Sequence, residues 1–182
     1  MVNTQRIKFI DTYIDNLTAS EAKECVNEVI RKPGYHYVVT PNADIIVKMH
    51  QDRELKDICE KADLILTDGQ IVVKLSRRYG TAIKERVCMT DFVWDVFDLA
   101  IEKEYKIFLL GGKEEILSKA TENVKKKLPK LNIVDSYSPP FGFEKDKKAL
   151  AETNERIRNS HADILIVFLG CPKQEKFIAQ NK

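Results

Sequence analysis

The sequence lacks any long apolar run. Its longest clean apolar stretches, such as residues 164–169, are far shorter than the roughly 20 residues that a membrane-spanning helix needs. Residues 1–17 carry polar side chains every few positions and lack the cleavage site of a signal peptide. We therefore expect a cytoplasmic protein, and any contact that it makes with a membrane is expected to be peripheral.

Cysteine and histidine are scarce and scattered. None of the four cysteines belongs to a C-x-x-C pair or has histidines at metal-ligand spacing (Cys25, Cys59, Cys88 and Cys171). No D-x-D motif occurs that could hold a divalent cation against a sugar diphosphate. These absences predict reduced thiols, no zinc site, no required metal and no cofactor.

The seven glycines form neither of the two common phosphate-binding fingerprints, G-x-G-x-x-G and G-x-x-x-x-G-K-[ST]. Dinucleotide-binding and P-loop interpretations therefore lose their main support. The charges nearly balance, at 30 basic and 28 acidic residues, which makes nucleic acid an unfavoured partner. The basic run at residues 125–127 with Lys130 is interpreted as the solvated face of a helix rather than as a lipid-binding patch.

What the sequence does contain is an alternation of short β-branched runs with segments of helical period. That alternation predicts one Rossmann-like α/β domain over residues 1–182, with a mostly parallel sheet flanked by helices. Thr18 and Glu21 predict a capping box for the first helix, and Thr90 is predicted to cap a later one. The predicted strands are residues 6–10, 35–40, 63–67, 106–110, 132–134 and 163–169.

Ligands of parallel α/β sheets bind outside the carboxyl ends of the strands, so the residues that follow each strand are the candidates for a site. After the second predicted strand, Thr40 and Asn42 present a hydroxyl and an amide, although a helix cap alone would explain either residue. After the third, Asp68 is a candidate general base, and Gly69 leaves room for a ligand near the backbone. The alternative for Asp68 is an ordinary turn residue before glycine.

Two later strand ends carry glycine. Gly111 and Gly112 precede a helix whose backbone N–H groups could face a diphosphate, and Gly170 to Lys173 repeats that arrangement. Arg86 lies in an irregular segment, where its guanidinium would suit a phosphate or would form a surface salt bridge.

Together these pieces resemble the WecG/TagA/CpsF glycosyltransferase family, glycosyltransferase family 26. The resemblance covers nearly the whole chain, and Met89 stands where we expect a glycine from the family. The motifs that carry it are Thr40-Pro41-Asn42-Ala43-Asp44, Ala62-Asp63, Asp68-Gly69, Arg86-Val87 with Asp91, Leu109-Leu110-Gly111-Gly112, and Gly170 with Pro172-Lys173-Gln174-Glu175.

The resemblance implies an inverting transfer from a UDP-sugar, often UDP-N-acetylmannosamine, to N-acetylglucosaminyl-diphospho-undecaprenol, as in wall teichoic acid synthesis. It implies Asp68 as the base, with Thr40, Asn42, Arg86 and Gln174 lining the substrate cleft. It also places the protein on the inner face of the bacterial membrane, attached through a basic segment that follows the P-K-Q-E helix in the family and is absent here.

Two other interpretations remain open. The chain could be a non-catalytic nucleotide-binding module whose polar residues merely cap elements of a common fold, or a Rossmann-type oxidoreductase. Oligomeric state also stays open, and self-association into a homo-oligomer is one expectation.

Overall fold

Strands and helices alternate through residues 5–181, the part of the chain that the computed structural model describes. The chain divides into two compact units. One runs to Val96 and takes in Ile178–Gln180, and the other comprises Phe97–Phe177 and Asn181. Because five of the seven described strands pair in parallel, the predicted α/β class with mostly parallel strands is confirmed.

The first unit opens with an antiparallel hairpin of β1 (Arg6–Phe9) and β2 (Thr12–Asp15). The sequence analysis missed β2. Helix α1 (Ala19–Ile30) follows, and its capping box is confirmed because the Thr18 hydroxyl accepts from the Glu21 N–H while the Glu21 carboxylate accepts from the Thr18 N–H.

A two-stranded parallel sheet follows, formed by β3 (Val38–Val39) and β4 (Leu64–Ile65). Both strands are shorter than the sequence predicted. Between them lie α2 (Ala43–Gln51) and α3 (Arg53–Glu60), and after β4 comes α4 (Gln70–Arg78).

The core of the first unit fixes the orientation of α4. Val72 and Val73 are buried in one apolar cluster with Phe9 and Ile14 of the hairpin and with Ile83. Burying two helical neighbours in this way commits one side of α4 to the core and leaves the opposite side facing solvent.

Helix α5 (Met89–Lys103) begins in the first unit and continues into the second. The prediction that Thr90 caps it is wrong, because the helix already starts at Met89. The Cys88 carbonyl accepts from the Phe92 N–H, and the Thr90 hydroxyl lies 3.0 Å from the Cys88 thiol.

The second unit is built on a parallel sheet with β5 (Ile107–Gly111) in the middle, β6 (Ile133–Tyr137) on one side and β7 (Ile164–Phe168) on the other. All five residues of β5 are buried, which explains its continuous apolar sequence. The helices are α6 (Glu114–Lys127), α7 (Lys147–Ser160) and α8 (Lys173–Gln180), with a short 3-10 helix at Phe143–Lys145.

Over residues 5–181, no helix combines the length and the apolar composition needed to cross a membrane.

Candidate functional site

The loops that leave β3 and β4 run side by side at the carboxyl edge of their sheet. The strands pair with Val39 opposite Ile65, and the Leu66 N–H donates to the Val39 carbonyl at 2.9 Å. One step further, the Asp68 N–H donates to the Pro41 carbonyl at 3.3 Å. Parallel pairing therefore brings the Thr40-Pro41-Asn42 segment next to Asp68, as the strand-end argument predicted.

Asn42 is the N-cap of α2, because its side-chain oxygen accepts from the Ile45 N–H at 3.0 Å. The capping interpretation is thus confirmed for Asn42, whose amide nitrogen has no hydrogen-bond partner within residues 5–181. Thr40 is half-buried, and its hydroxyl also lacks a partner within that range. Both groups remain able to bond a ligand, in keeping with their donor capacity.

Arg86 lies between two carboxylates. Its Nη1 lies 3.8 Å from Oδ1 of Asp68, and its Nη2 donates to Oδ2 of Asp91 at 2.9 Å. The segment that carries Arg86 is anchored by the neighbouring Val87 N–H, which donates to the Thr67 carbonyl at 2.9 Å. The salt-bridge interpretation of Arg86 is confirmed as a contact, and it leaves most of the five guanidinium donors unused.

These contacts leave the two charged groups accessible. The side chains of Asp68 and Arg86 are 28% and 33% exposed, whereas that of Asp91 is 74% exposed. An exposed pair such as Arg86–Asp91 is weakly held, so an anionic ligand can compete for the guanidinium. The structure therefore gives this edge an accessible cation beside an accessible carboxylate.

Gly69 lies against Asn42. A methyl group added at this position would stand 3.7 Å from the Asn42 Cβ and 3.4 Å from a Val72 methyl group, which are ordinary contact distances. Five of the predicted site residues are thereby brought together in the first unit: Thr40, Asn42, Asp68, Gly69 and Arg86.

The second unit holds the remaining candidates. Gly111 ends β5 opposite Phe168, with a φ of +104°. An added Cβ would lie 2.8 Å from the Phe168 carbonyl oxygen, so the close approach of β7 itself requires glycine here. Gly112 has a φ of +79° with nothing within 4 Å of an added Cβ, and its carbonyl accepts from the Ser138 hydroxyl at 2.6 Å.

The helix that follows these glycines has acidic residues in its first turn. Glu114 and Glu115 occupy the positions where the sequence interpretation placed a diphosphate. Since carboxylates favour the positive end of a helix dipole, they compete with an anionic ligand for this position. The first turn of α6 therefore already carries two negative charges next to the position where the sequence analysis expects a diphosphate.

Gln174 is held at both ends of its amide group. Its Oε1 accepts from the Gly170 N–H at 3.1 Å, and its Nε2 donates to Glu175 Oε1 at 3.0 Å. The neighbouring Lys173 Nζ lies 3.2 Å from Glu144, and the pKa of Glu144 is lowered by a hydrogen bond to its own backbone N–H and by Lys173.

The sequence interpretation assigned no role to two polar residues beside these candidates, Thr67 and the motif residue Glu175, both of which the structure buries. Within residues 5–181, Oε2 of Glu175 and Oγ1 of Thr67 have no hydrogen-bond partner, and the two residues are 4% and 2% exposed. Buried polar atoms are usually hydrogen-bonded, so each indicates a specific local role. Glu175 lies in the polar first turn of α8, within the Pro172-Lys173-Gln174-Glu175 motif, and nothing in its spacing shows that it is buried.

Parallel strands whose carboxyl ends carry the polar side chains define an α/β protein of the kind that binds ligands at that edge of the sheet. The match of residues 7–182 to the sequence model of the glycosyl transferase WecG/TagA/CpsF family makes the assignment specific, and the chain belongs to that family.

Three bacterial relatives share one name, N-acetylglucosaminyldiphosphoundecaprenol N-acetyl-beta-D-mannosaminyltransferase. The protein of Bacillus spizizenii is 31% identical over 142 residues, covering 78% of this chain and 53% of the relative. That of Bacillus subtilis is 29% identical over 141 residues, with coverages of 78% and 53%. That of Staphylococcus aureus NCTC 8325 is 23% identical over 182 residues, with coverages of 99% and 69%. The chain thus spans about half the length of the Bacillus relatives.

Proposed function

We propose that this chain forms the catalytic core of a glycosyltransferase that moves N-acetylmannosamine from a UDP-sugar to N-acetylglucosaminyl-diphospho-undecaprenol on the cytoplasmic face of the bacterial membrane. The observation that carries the proposal is the grouping of Asp68, Arg86, Thr40 and Asn42 at the carboxyl edge of β3 and β4. Membership of the glycosyltransferase family and the names of the relatives support it.

The proposed reaction is a single displacement at the anomeric carbon. An acceptor hydroxyl oxygen attacks that carbon, the bond to the UDP oxygen breaks, and the electron pair leaves with the β-phosphate. The Asp68 carboxylate takes the proton from the attacking hydroxyl, a role typically worth about 10²–10⁴-fold in rate. Inversion at the anomeric carbon follows, because attack and departure take place on opposite faces of the sugar.

Arg86 is assigned to the diphosphate. Negative charge grows on UDP as the glycosidic bond breaks, and a preorganised guanidinium stabilises that charge without reorganising solvent. The Asn42 amide nitrogen and the Thr40 hydroxyl, both without partners within residues 5–181, are assigned to sugar or phosphate oxygens. Because this scheme gives the charge to Arg86, we expect transfer to persist in EDTA.

The test is transfer to a short-chain, water-soluble analogue of the lipid acceptor, with UDP release as the readout. Asp68→Asn keeps the shape of the side chain and removes the base, so turnover should fall about 10²–10⁴-fold while calorimetric UDP binding is retained. Asp57→Asn is the matched control, since Asp57 is exposed on α3 and its side chain forms no hydrogen bond or ion pair with residues 5–181.

Each outcome has a distinct meaning. Turnover in Asp68→Asn within twofold of the parent would remove Asp68 from the mechanism. UDP binding without transfer in the parent chain would favour a non-catalytic nucleotide-binding module. A preference for NAD over UDP would overturn the proposal in favour of an oxidoreductase.

A further inference from the structure

Helix α4 presents an outward face that mixes apolar and basic side chains. Ile71 and Leu75 of α4 and its C-cap residue Tyr79 are 62%, 38% and 66% exposed, and they recur every fourth residue. Lys74 and Arg78 are exposed and lie between them at helical spacing. We call these five residues the α4 face.

The apolar side chains of the α4 face do not belong to the hydrophobic core. Val72, Val73 and Ser76 on the opposite side of the helix are buried, and the two valines pack in the cluster that includes Phe9, Ile14 and Ile83. With one side committed to the core, the three apolar side chains on the other side stay in water. Grouped exposed apolar side chains mark a surface that binds something.

The charges of α4 identify what that surface fits. The helix contains no acidic residue, and Arg77 adds a third exposed cation beside Lys74 and Arg78. None of these three side chains forms an ion pair or hydrogen bond with any residue in the range 5–181. Unpaired cations interleaved with exposed apolar groups are the pattern of a helix that lies in the interface of an anionic bilayer.

A second copy of the chain fits the same face poorly. In a two-fold symmetric contact the same patch meets itself, so Lys74, Arg77 and Arg78 of one copy would lie against those of the other.

The basic run of α6 does not share the purely cationic character of α4. Helix α6 carries Glu114 and Glu115 in its first turn and Glu122 further along.

We propose that the α4 face binds an anionic lipid surface, with Ile71, Leu75 and Tyr79 entering the headgroup boundary and the basic side chains pairing with lipid phosphates. The functional meaning of this contact rests on the proposed lipid-linked acceptor. Because α4 starts directly after Asp68 and Gly69, the contact would place the candidate base at the surface where such an acceptor is held.

The test is flotation of the chain with vesicles of phosphatidylcholine alone and of phosphatidylcholine with phosphatidylglycerol, without any sugar substrate. We expect binding only to vesicles with phosphatidylglycerol, weakening as salt is added. The double variant Lys74→Gln/Arg78→Gln should lose about thirtyfold in vesicle affinity. Ile71→Gln/Leu75→Gln should lose a similar amount or more through its apolar contacts.

Matched controls separate this surface from charge in general. Lys125→Gln/Lys126→Gln removes the same charge from α6 and should bind vesicles as the parent does. Ile116→Gln removes an equally exposed apolar side chain, at 63% exposure, from the same helix. Circular dichroism and urea unfolding of each variant confirm that it is folded.

Absence of binding to phosphatidylglycerol vesicles, or equal losses in the α4 and α6 variants, would overturn the proposal. Sedimentation that shows concentration-dependent self-association lost only in the α4 variants would overturn it in favour of a second copy. Transfer to the water-soluble acceptor should be unchanged in Lys74→Gln/Arg78→Gln, so failure of the lipid contact and failure of the proposed reaction give different results.

Discussion

Nη1 of Arg86 lies 3.8 Å from Oδ1 of Asp68, which makes the candidate phosphate ligand and the candidate base immediate neighbours. This is an ion-pair distance beyond hydrogen-bond range, so neither group is saturated by the other. A diphosphate on the guanidinium would therefore bring the reacting sugar to the side of the carboxylate. The two residues come from separate loops, joined by the hydrogen bond between Val87 N–H and the Thr67 carbonyl.

UDP affinity should depend on Arg86 far more than on its partner Asp91. Arg86→Ala removes a charged hydrogen-bond donor, and UDP binding should weaken by about tenfold to a hundredfold. Asp91→Asn breaks an exposed ion pair, which contributes little free energy. The affinity for UDP should therefore change by less than about fivefold. Calorimetry with both variants checks this. Equal losses would mean that Arg86 serves the fold of its loop rather than the ligand.

Substitution by alanine should lower the free energy of unfolding more at Gly111 than at the adjacent Gly112. Gly111→Ala combines a left-handed backbone with a Cβ placed 2.8 Å from the Phe168 carbonyl oxygen, and should cost about 2–5 kcal/mol of unfolding free energy. Gly112→Ala has the backbone penalty alone, about 1–2 kcal/mol. Urea unfolding measures both. Losses of the same size would show that β7 does not approach Gly111 as closely as described.

The buried thiol of Cys25 should make stability fall in alkali. Burial, reinforced by Glu28 and Asp15, raises the pKa of Cys25 from 9.0 to about 11. The folded chain then holds this proton more tightly than the unfolded chain does. The stabilisation of the fold by the protonated thiol is fully present below pH 9.0, the pKa of the unfolded thiol. It is lost as the pH rises through the pKa of the folded thiol, near 11.

Cys25→Ala removes this titration. The difference in unfolding free energy between the parent and the variant, measured by urea unfolding, should shrink steadily between about pH 9 and pH 11. A difference that stays constant over that interval would show that the thiol titrates alike in the folded and unfolded chains.

Glu175 should act through Gln174. One carboxylate oxygen of Glu175 accepts from the Gln174 amide, whereas the other is buried without a partner within residues 5–181. Since an unpaired buried polar oxygen is costly, Glu175→Met should leave the unfolding free energy within about 1 kcal/mol of the parent or raise it. Because the family resemblance implies that Gln174 lines the substrate cleft, we also expect transfer activity to fall when its amide loses this acceptor.

A double-mutant cycle checks that assignment. If Glu175 acts only by holding Gln174, adding Glu175→Met to Gln174→Ala should reduce turnover no further than Gln174→Ala does alone. Additive losses would give Glu175 a separate role in the reaction.

Local sequence signals predicted most of the fold because each has a short-range physical cause. The Thr18 capping box depends on residues within one helical turn, and it is confirmed. The second strand of the hairpin was missed because its pairing depends on a partner strand. Thr90 was mistaken for an N-cap because a threonine before apolar residues at helical spacing gives the same sequence pattern whether it caps the helix or lies just inside it. In the structure Thr90 lies inside α5, and its hydroxyl is 3.0 Å from the Cys88 thiol.

The candidate site was predictable as far as parallel pairing determines it. That rule brought Thr40 and Asp68 to one edge before any distance was known. It could not predict the ion pair between Arg86 and Asp91, the hydrogen bond from Gln174 to Glu175, or the close approach of Phe168 to Gly111. Each of these depends on a contact between side chains or strands that no spacing in the sequence records.

Asp15 sets a limit on how the chain can be cut. Its side chain, 2% exposed, accepts from Nε and Nη2 of Arg6 and from the Ile65 N–H of β4, the strand that leads to Asp68. The family match begins at residue 7, just after Arg6. A fragment started at that boundary would leave a buried carboxylate without its cation, beside the strand that carries the candidate base. Expression designs and domain fusions should therefore keep Arg6, although the family boundary excludes it.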